Sequence, residues 1–174
     1  MLDSVWTVAD EIYVIFNHDP NLKLVESIAP FGVKIVVDKA SSSLVSNMVK
    51  GFKASRSEHC FAVPENVPFI KPNVAFALFE AARGYDAAIP RWSNGKVEPL
   101  LAVYRKKSFL RVAQEDFVTA PDSILDNLYA VRFVSIEDEL KPLDPDLSSF
   151  FTVRSKLDVD RAKSIALTGR KRSK

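Results

Sequence analysis

Two polar residues follow predicted strands at the points where those strands end. Asp38 closes the β-branched run 33–37, and Asn66 lies in a proline-bracketed bend after the apolar segment 58–63. In open α/β sheets, ligands and metals bind at the carboxyl ends of the strands. A carboxylate at such a bend holds Mg²⁺ against phosphates, whereas Asn66 offers a neutral amide oxygen. The bend is compatible with a phosphate or metal site and with a plain strand-to-helix turn. Asp38 is compatible with a ligand contact and with helix capping.

A second group of polar residues lies at a predicted hairpin tip within residues 90–101. Arg91 and Lys96 could bind phosphate, and Trp92 could cover a ring system. The alternative is a hairpin tip that carries solvated charges. The tryptophan favours a ligand-facing or interface role for this segment.

Several kinds of site are missing from the sequence. The glycines stand at 32, 51, 84, 95 and 169, too far apart for a glycine-rich phosphate loop. Two histidines and one cysteine argue against a His/Cys zinc site, and the single cysteine fits a reducing cytoplasm. No apolar run approaches the length of a membrane span. The net charge of +2 is too small to indicate nucleic acid as the main partner.

Apolar runs and amphipathic segments alternate along the chain. The pattern predicts strands over 11–16, 33–37, 60–63 and 85–90, with helices between them, which is typical of parallel βαβ units. Asn94-Gly95 predicts a hairpin turn leading into a strand over 97–104. We expect a three-layer α/β/α sandwich with a mostly parallel, Rossmann-like sheet and one antiparallel strand. Residues 1–167 form one predicted domain, followed by a basic tail over 168–174 that is predicted to be disordered.

Three segments together resemble the MobA-like molybdenum cofactor guanylyltransferases. Residues 63–70 are similar to the family's Cys-Asp-Met-Pro-Phe-Leu bend. Residues 88–105 are similar to its "Val-Pro-Arg … Gly … Glu-Pro-Leu … Ala-Leu-Tyr" segment, and residues 150–158 to its closing Phe-Phe-Asn-Val-Asn-Thr-Pro-Glu-Asp. The resemblance extends in order over most of residues 3–166.

The resemblance implies a fold of the nucleotide-diphospho-sugar transferase type and a reaction. Members transfer GMP from GTP to molybdopterin with Mg²⁺ and release pyrophosphate. By resemblance, Asp38 lies on the nucleotide side and Asn66 takes the metal-binding position. Arg91, Trp92 and Glu98 lie on the acceptor side.

The sequence departs from the family pattern at three places. The family's first strand and glycine-rich loop would precede residue 1, Asn66 replaces an aspartate, and the loops after Asp38 and Val153 are altered. These departures predict impaired catalysis in the form given. The alternative hypothesis is a non-catalytic relative that binds a nucleotide, a pterin or a partner protein.

The missing first strand predicts a gap in the sheet between the strands over 11–16 and 60–63. Three arrangements would deal with the exposed backbone: an upstream segment of a longer chain, direct pairing of the two strands, or another subunit. The first is the favoured expectation.

Overall fold

The computed structural model describes residues 1–39, 43–114 and 120–172, the side chains as far as residue 166. The strands are β1 Tyr13–Phe16, β2 Lys34–Val37, β3 His59–Ala62, β4 Ala87–Arg91, β5 Ala102–Arg105 and β6 Val131–Ser135. The α-helices are α1 Leu2–Val5, α2 Leu22–Ile28, α3 Leu44–Ala54, α4 Pro72–Ala81, α5 Lys106–Val112, α6 Pro121–Leu125 and α7 Lys156–Arg172. Short 3-10 turns span Ala29–Phe31 and Ser148–Phe150, and a π-helical turn spans Ile136–Leu140.

The strands form two separate sheets. In the first sheet β1 and β2 pair in parallel. The second sheet has the order β3-β5-β4-β6, in which β5 is antiparallel to both neighbours and β4 is parallel to β6. All strands of this sheet except β5 therefore run in the same direction. The predicted α/β fold with one antiparallel strand is confirmed.

The break between the sheets falls between β1 and β3, where the sequence predicts a gap. Within the described residues these two strands do not pair with each other, so the direct-pairing arrangement is absent. Their beginnings are nevertheless tied: the Arg56 N–H donates to Glu11 Oε2 at 2.8 Å, and the Tyr13 hydroxyl donates to the Ala54 carbonyl at 2.8 Å. The two strands thus start at the same end of α3 with their facing edges unpaired.

Helix α3 spans this break. At Gly51 an added Cβ would lie 3.3 Å from Ile15 Cδ1 of β1, while the Phe52 ring contacts the Phe109 ring at a centroid distance of 4.6 Å. Two buried polar atoms of the described residues lack a hydrogen-bond partner, Asn47 Oδ1 and His59 Nε2. They belong to α3 and β3, the elements that border the break.

The larger sheet separates two apolar cores because alternate residues of a strand face opposite sides. From β4, Ala87 and Ile89 enter the core formed with α3, α5 and α6, and Ala88 enters the core formed with α4. Helices therefore cover both faces, which is the predicted three-layer arrangement. Each large side chain buried in these cores contributes about 1.5–3 kcal/mol.

A buried hydrogen bond joins the first core to the β4–β5 connection. The Tyr104 hydroxyl donates to the Pro99 carbonyl at 2.6 Å, and the Tyr104 side chain is fully buried. Burial raises the pKa of this phenol, so it remains a neutral donor. The bond fixes the connection just after Glu98.

The connection itself differs from the strand predicted over 97–104. Arg91 and Val97 form an isolated bridge, the Leu101 N–H donates to the Glu98 carbonyl at 3.0 Å, and β5 begins at Ala102. Pro99 explains the difference, because proline has no N–H to donate to a strand ladder. The predicted Asn-Gly turn is present, with Gly95 at φ +87°.

Two short turns and a helix follow β6 in the C-terminal region. Between β6 and α7, the buried Asp144 accepts from the Ser149 N–H at 2.7 Å and from the Ser148 hydroxyl at 3.0 Å. Helix α7 begins with a reciprocal cap between Ser155 and Asp158 and continues to Arg172. The backbone of α7 is therefore helical beyond residue 167, where the sequence predicts the tail to begin. None of the helices in the described ranges is both long and apolar enough to cross a membrane.

Candidate ligand-binding site

A cavity of about 150 Å³ lies where three segments meet. These segments are the bend after β3, the β4–β5 connection and the stretch before α7. The polar residues that line the cavity are Asn66, Glu98, Thr152 and Arg154, and its apolar lining includes Leu100, Leu101 and Phe150. Each of the three segments that carry the family resemblance therefore contributes to one cavity.

The bend that carries Asn66 is fixed from both sides. Val67 and Ile70 are buried in the core beside α4, and the Val67 N–H donates to the Pro64 carbonyl at 3.2 Å. On the other side, the Asn66 carbonyl accepts from the Val153 N–H at 2.8 Å. In the described part of the chain the Asn66 side-chain amide has no hydrogen-bond partner, so it can bind a ligand in the cavity.

The side chains of Glu98 and Trp92 are joined by a hydrogen bond. The Trp92 indole N–H donates to Glu98 Oε1 at 2.8 Å, and the Lys96 ammonium lies 2.6 Å from the same oxygen. The indole also contacts the Phe150 ring edge-on at a centroid distance of 5.6 Å. Trp92 is therefore packed between the connection and the segment before α7, and Lys96 neutralises the Glu98 charge.

Arg91 lies on the opposite face of β4 from Trp92. Its guanidinium stacks 4.7 Å from the centre of the Phe133 ring, which packs against the core beside α3. Trp92 packs against the core beside α4. This follows from the alternation of side chains along a strand. Arg91 is exposed and does not line the cavity.

Asp38 is buried at the end of β2, away from the cavity lining. Its N–H donates to the Phe16 carbonyl at 2.7 Å. Its carboxylate accepts from the Ser46 hydroxyl at 3.4 Å and lies 4.0 Å from the Lys50 ammonium. The structure thus places Asp38 beside α3. It brings Asn66, Glu98 and Trp92 together but not Asp38 or Arg91.

A second, more open cavity of about 270 Å³ adjoins the first. It is lined by Leu44 at the start of α3, by residues 97–100, and by Pro121 and Asp122. Glu98 and Leu100 line both cavities. The β4–β5 connection therefore forms a partition between a small polar cavity and a larger one that reaches the beginning of α3.

Two residues of the small cavity, Thr152 and Arg154, were not among the predicted site residues. The sequence signal was present, because both stand where the resembling motif has asparagine. Arg154 belongs to the altered loop after Val153, which was interpreted only as a departure from that motif. The Arg154 backbone N–H donates to Asp158 Oδ2 at 3.1 Å. Hydrogen bonds from the Ser155 hydroxyl and then this N–H lower the pKa of Asp158.

The residues present do not fit a magnesium ion held by the protein. The described ranges contain no group of three or more His, Cys, Asp or Glu side chains that could hold a metal. Beside Asn66 the cavity offers the Glu98 carboxylate, and its Oε1 is already engaged by Lys96 and Trp92. Mg²⁺ prefers several carboxylate, phosphate or water oxygens. An ion here would depend on oxygens from a ligand.

The fold is that of nucleotidyltransferases of known structure. Molybdopterin-guanine dinucleotide biosynthesis protein A from Archaeoglobus fulgidus superposes with a TM-score of 0.70 at 22% identity, covering 90% of this chain and 78% of that chain. The 2-C-methyl-D-erythritol 4-phosphate cytidylyltransferase from Thermus thermophilus superposes with a TM-score of 0.64 at 14% identity, covering 93% and 87%. At these identities the likeness establishes the fold.

The sequence places the chain within one family of this class. The profile of the MobA-like NTP transferase domain matches residues 1–130, and the chain belongs to this family. A protein named probable molybdenum cofactor guanylyltransferase from Methanosarcina acetivorans is 28% identical over 169 residues, covering 92% of this chain and 74% of the relative. A protein of the same name from Thermococcus kodakarensis is 31% identical over 139 residues, covering 78% and 66%.

Proposed function

We propose that this chain is a nucleotidyltransferase of molybdenum cofactor biosynthesis that transfers GMP from GTP to molybdopterin and releases pyrophosphate. Family membership and the names of the relatives support the reaction. The observation that carries the proposal is the cavity itself. Three segments far apart in sequence converge there and supply Asn66, Glu98 and Arg154.

The reaction requires the positioning of two anionic groups. A terminal phosphate oxygen of the acceptor attacks the α-phosphorus of GTP, forming one P–O bond while the α–β P–O bond breaks and pyrophosphate leaves. Positioning and neutralisation of charge supply most of the rate enhancement in such transfers. Arg154 can bind a phosphate through its guanidinium fork, and Asn66 can donate from its amide.

We assign the two substrates to opposite sides of the β4–β5 connection. The larger cavity reaches Leu44 at the start of α3, the helix whose Ser46 contacts Asp38, which supports the assignment of the nucleotide to this side. The acceptor side is the small cavity, with Glu98 and the Trp92 that it orients. Arg91, which stacks on Phe133 on the other face of β4, is not included in this assignment.

The resemblance implies Mg²⁺ as the divalent cation. When bound, it would neutralise charge on the transferring phosphates. Because the described residues supply little beyond the Asn66 amide oxygen, the ion would be held mainly by phosphate oxygens. The proposed setting is the cytoplasm, in keeping with the single cysteine.

A second candidate function is binding without catalysis. The neutral Asn66 at the metal position and the unpaired edges of β1 and β3 favour it. Such a relative would bind a nucleotide, a pterin or a partner chain that covers the sheet break.

Pyrophosphate release distinguishes the two candidates. The purified chain is incubated with GTP, Mg²⁺ and molybdopterin, and pyrophosphate is measured alongside calorimetric titrations with GTP and CTP. We expect GTP to bind more tightly than CTP and pyrophosphate to appear only when the acceptor is present. Binding of GTP without turnover would support the second candidate. An absence of GTP binding would contradict the proposed reaction.

A further inference from the structure

Arg154 differs from other arginines of the structure in having an unengaged guanidinium beside a cavity. Arg83, Arg105 and Arg132 each lie 2.7–3.0 Å from a carboxylate oxygen. Arg154 forms no ion pair with any residue in the described ranges, and its side chain is exposed where it lines the cavity. Because arginine stays protonated throughout the accessible pH range, this is a permanent positive charge available to a ligand.

The other residues that line the cavity do not compensate the positive charge of Arg154. Its carboxylate, Glu98, is balanced by the Lys96 ammonium at 2.6 Å and by the Trp92 indole N–H on the same oxygen. Asn66, where the resembling motif has a carboxylate, is neutral. An anion entering the cavity would therefore meet a cation and an amide donor and little repulsion.

The backbone around Arg154 is held on both sides. The preceding Val153 N–H donates to the Asn66 carbonyl at 2.8 Å. The Arg154 N–H and the Ser155 N–H donate to Asp158 Oδ2 at 3.1 and 2.9 Å. This anchoring reduces the entropy that is lost when the side chain binds, because only the side chain remains to be ordered. A planar guanidinium also matches two phosphate oxygens at once.

We propose that this cavity binds a phosphate group through Arg154 and Asn66, with the guanidinium supplying the positive charge that a divalent cation would otherwise supply. Phosphate binding here is then independent of Mg²⁺. The inference rests on the proposed function only for the source of the phosphate, which would be the nucleotide, the acceptor or released pyrophosphate. At about 150 Å³, the cavity suits one such group and is smaller than the roughly 300–1,000 Å³ typical of pockets for a whole ligand.

The test is calorimetric titration of the whole chain with inorganic pyrophosphate, once in EDTA and once in Mg²⁺. We expect binding in EDTA, a loss of at least tenfold in affinity in Arg154→Ala, and an intermediate affinity in Arg154→Lys. Arg83→Ala is the matched control, because it removes an exposed arginine just after α4 that pairs with Glu80 at 2.7 Å. It should bind as the wild type does. Binding that requires Mg²⁺, or an unchanged affinity in Arg154→Ala, would overturn the inference.

Asn66→Asp provides an independent variant whose backbone hydrogen bond to Val153 is retained. A carboxylate at this position would pair with Arg154 and repel the anion, so affinity for pyrophosphate in EDTA should fall and Mg²⁺ should restore part of it. Unchanged affinity in EDTA would also overturn the inference.

The experiments distinguish a failure of the proposed reaction from a failure of the proposed phosphate site. If pyrophosphate binding depends on Arg154 but no GMP transfer occurs, the result contradicts the proposed reaction and supports the phosphate site. If GMP transfer proceeds undiminished in Arg154→Ala, the phosphate site falls and the reaction stands. Thermal unfolding of each variant shows whether it is folded.

Discussion

The Val153 N–H donates a 2.8 Å hydrogen bond to the carbonyl of Asn66, joining residues that are 87 positions apart in sequence. This bond is one of the contacts that hold the segment before α7 against the bend after β3, and both segments line the cavity. Neither segment could form the site alone. The predictions below test the contacts that hold these parts in place and the sheet on which they rest.

The Trp92–Glu98 hydrogen bond should stabilise the β4–β5 connection. Trp92→Phe retains an aromatic ring near Phe150 but removes the indole donor, and we expect a loss of about 1 kcal/mol in the free energy of unfolding. Urea denaturation measures it. Tyr129→Phe, at an 86% exposed tyrosine, is the control and should change stability by less than about 0.5 kcal/mol. Equal stability of Trp92→Phe and the wild type would show that the bond contributes nothing.

The Tyr104–Pro99 hydrogen bond should stabilise the protein more, because its donor belongs to a fully buried side chain. Tyr104→Phe leaves the Pro99 carbonyl without its donor at a partly buried position, and we expect a loss of about 1–3 kcal/mol. The same urea experiment measures it. A variant as stable as the wild type would mean that water reaches the Pro99 carbonyl and replaces the hydroxyl.

Two glycine-to-alanine substitutions should change the free energy of unfolding in opposite directions. Gly51→Ala lies inside α3, where alanine is favoured over glycine by about 0.8–1 kcal/mol. Its Cβ would lie 3.3 Å from the flexible end of Ile15, which can move by a few tenths of an ångström. We expect net stabilisation.

Gly84 has φ +80° with open space around it, so Gly84→Ala should destabilise through backbone strain of about 1–2 kcal/mol. Thermal unfolding measures both signs, and matching signs would contradict this account.

Acid should destabilise the contacts of Glu11, which pairs with Lys34 of β2 and accepts from the Arg56 N–H before β3. The Lys34 ammonium, followed by the Arg56 N–H, lowers the pKa of Glu11 from 4.5 to about 2. A carboxyl group with a lowered pKa contributes stability that is fully present above its unfolded pKa and is lost as the pH falls through its folded pKa. We therefore expect stability to fall between about pH 4.5 and pH 2, and Glu11→Gln to reduce that slope.

The control for that experiment is Glu65→Gln, which removes an exposed carboxylate from the bend after β3. It should keep the wild-type pH dependence of the free energy of unfolding. A Glu11→Gln variant whose stability follows pH as the wild type does would contradict the role assigned to this carboxylate.

The sheet break predicts uneven protection of backbone amides. All of β4 up to Pro90 is buried between two paired neighbours, whereas the residues of β1 are only half-buried and pair on one edge. In native-state hydrogen exchange we expect amides of β1 and β2 to exchange at least tenfold faster than those of β4 and β5, which each have two paired neighbours. Equal protection would mean that another strand covers the open edge of β1 in solution.

Much of the fold could be predicted because its signals are local. Continuous apolar runs marked the strands, Asn94-Gly95 marked the turn, and the prolines at 64 and 68 bracketed the bend before α4. The single antiparallel strand followed from the turn and the strand after it. The start of β5 was misplaced, because Pro99 interrupts an otherwise extended apolar run.

The site was less predictable because it depends on orientation and on long-range pairing. Arg91 and Trp92 are neighbours in sequence, yet they enter opposite faces of the sheet. Glu98 carries a charge that could bind a ligand, but it is already paired with Lys96 and Trp92. No local pattern reveals the bond from Val153 to Asn66, which lies next to Arg154 and helps to hold it beside the cavity.

The most direct test of the central claim follows the two tryptophan indole resonances by NMR during titration with GTP and Mg²⁺. Trp92 donates to Glu98, which lines both cavities, whereas Trp6 follows α1 and lies against Gly32. The Trp92→Phe variant assigns the peaks. The account predicts that the Trp92 resonance shifts in a saturable manner while the Trp6 resonance stays in place. A shift of Trp6 alone, or of neither resonance under saturating GTP, would contradict it.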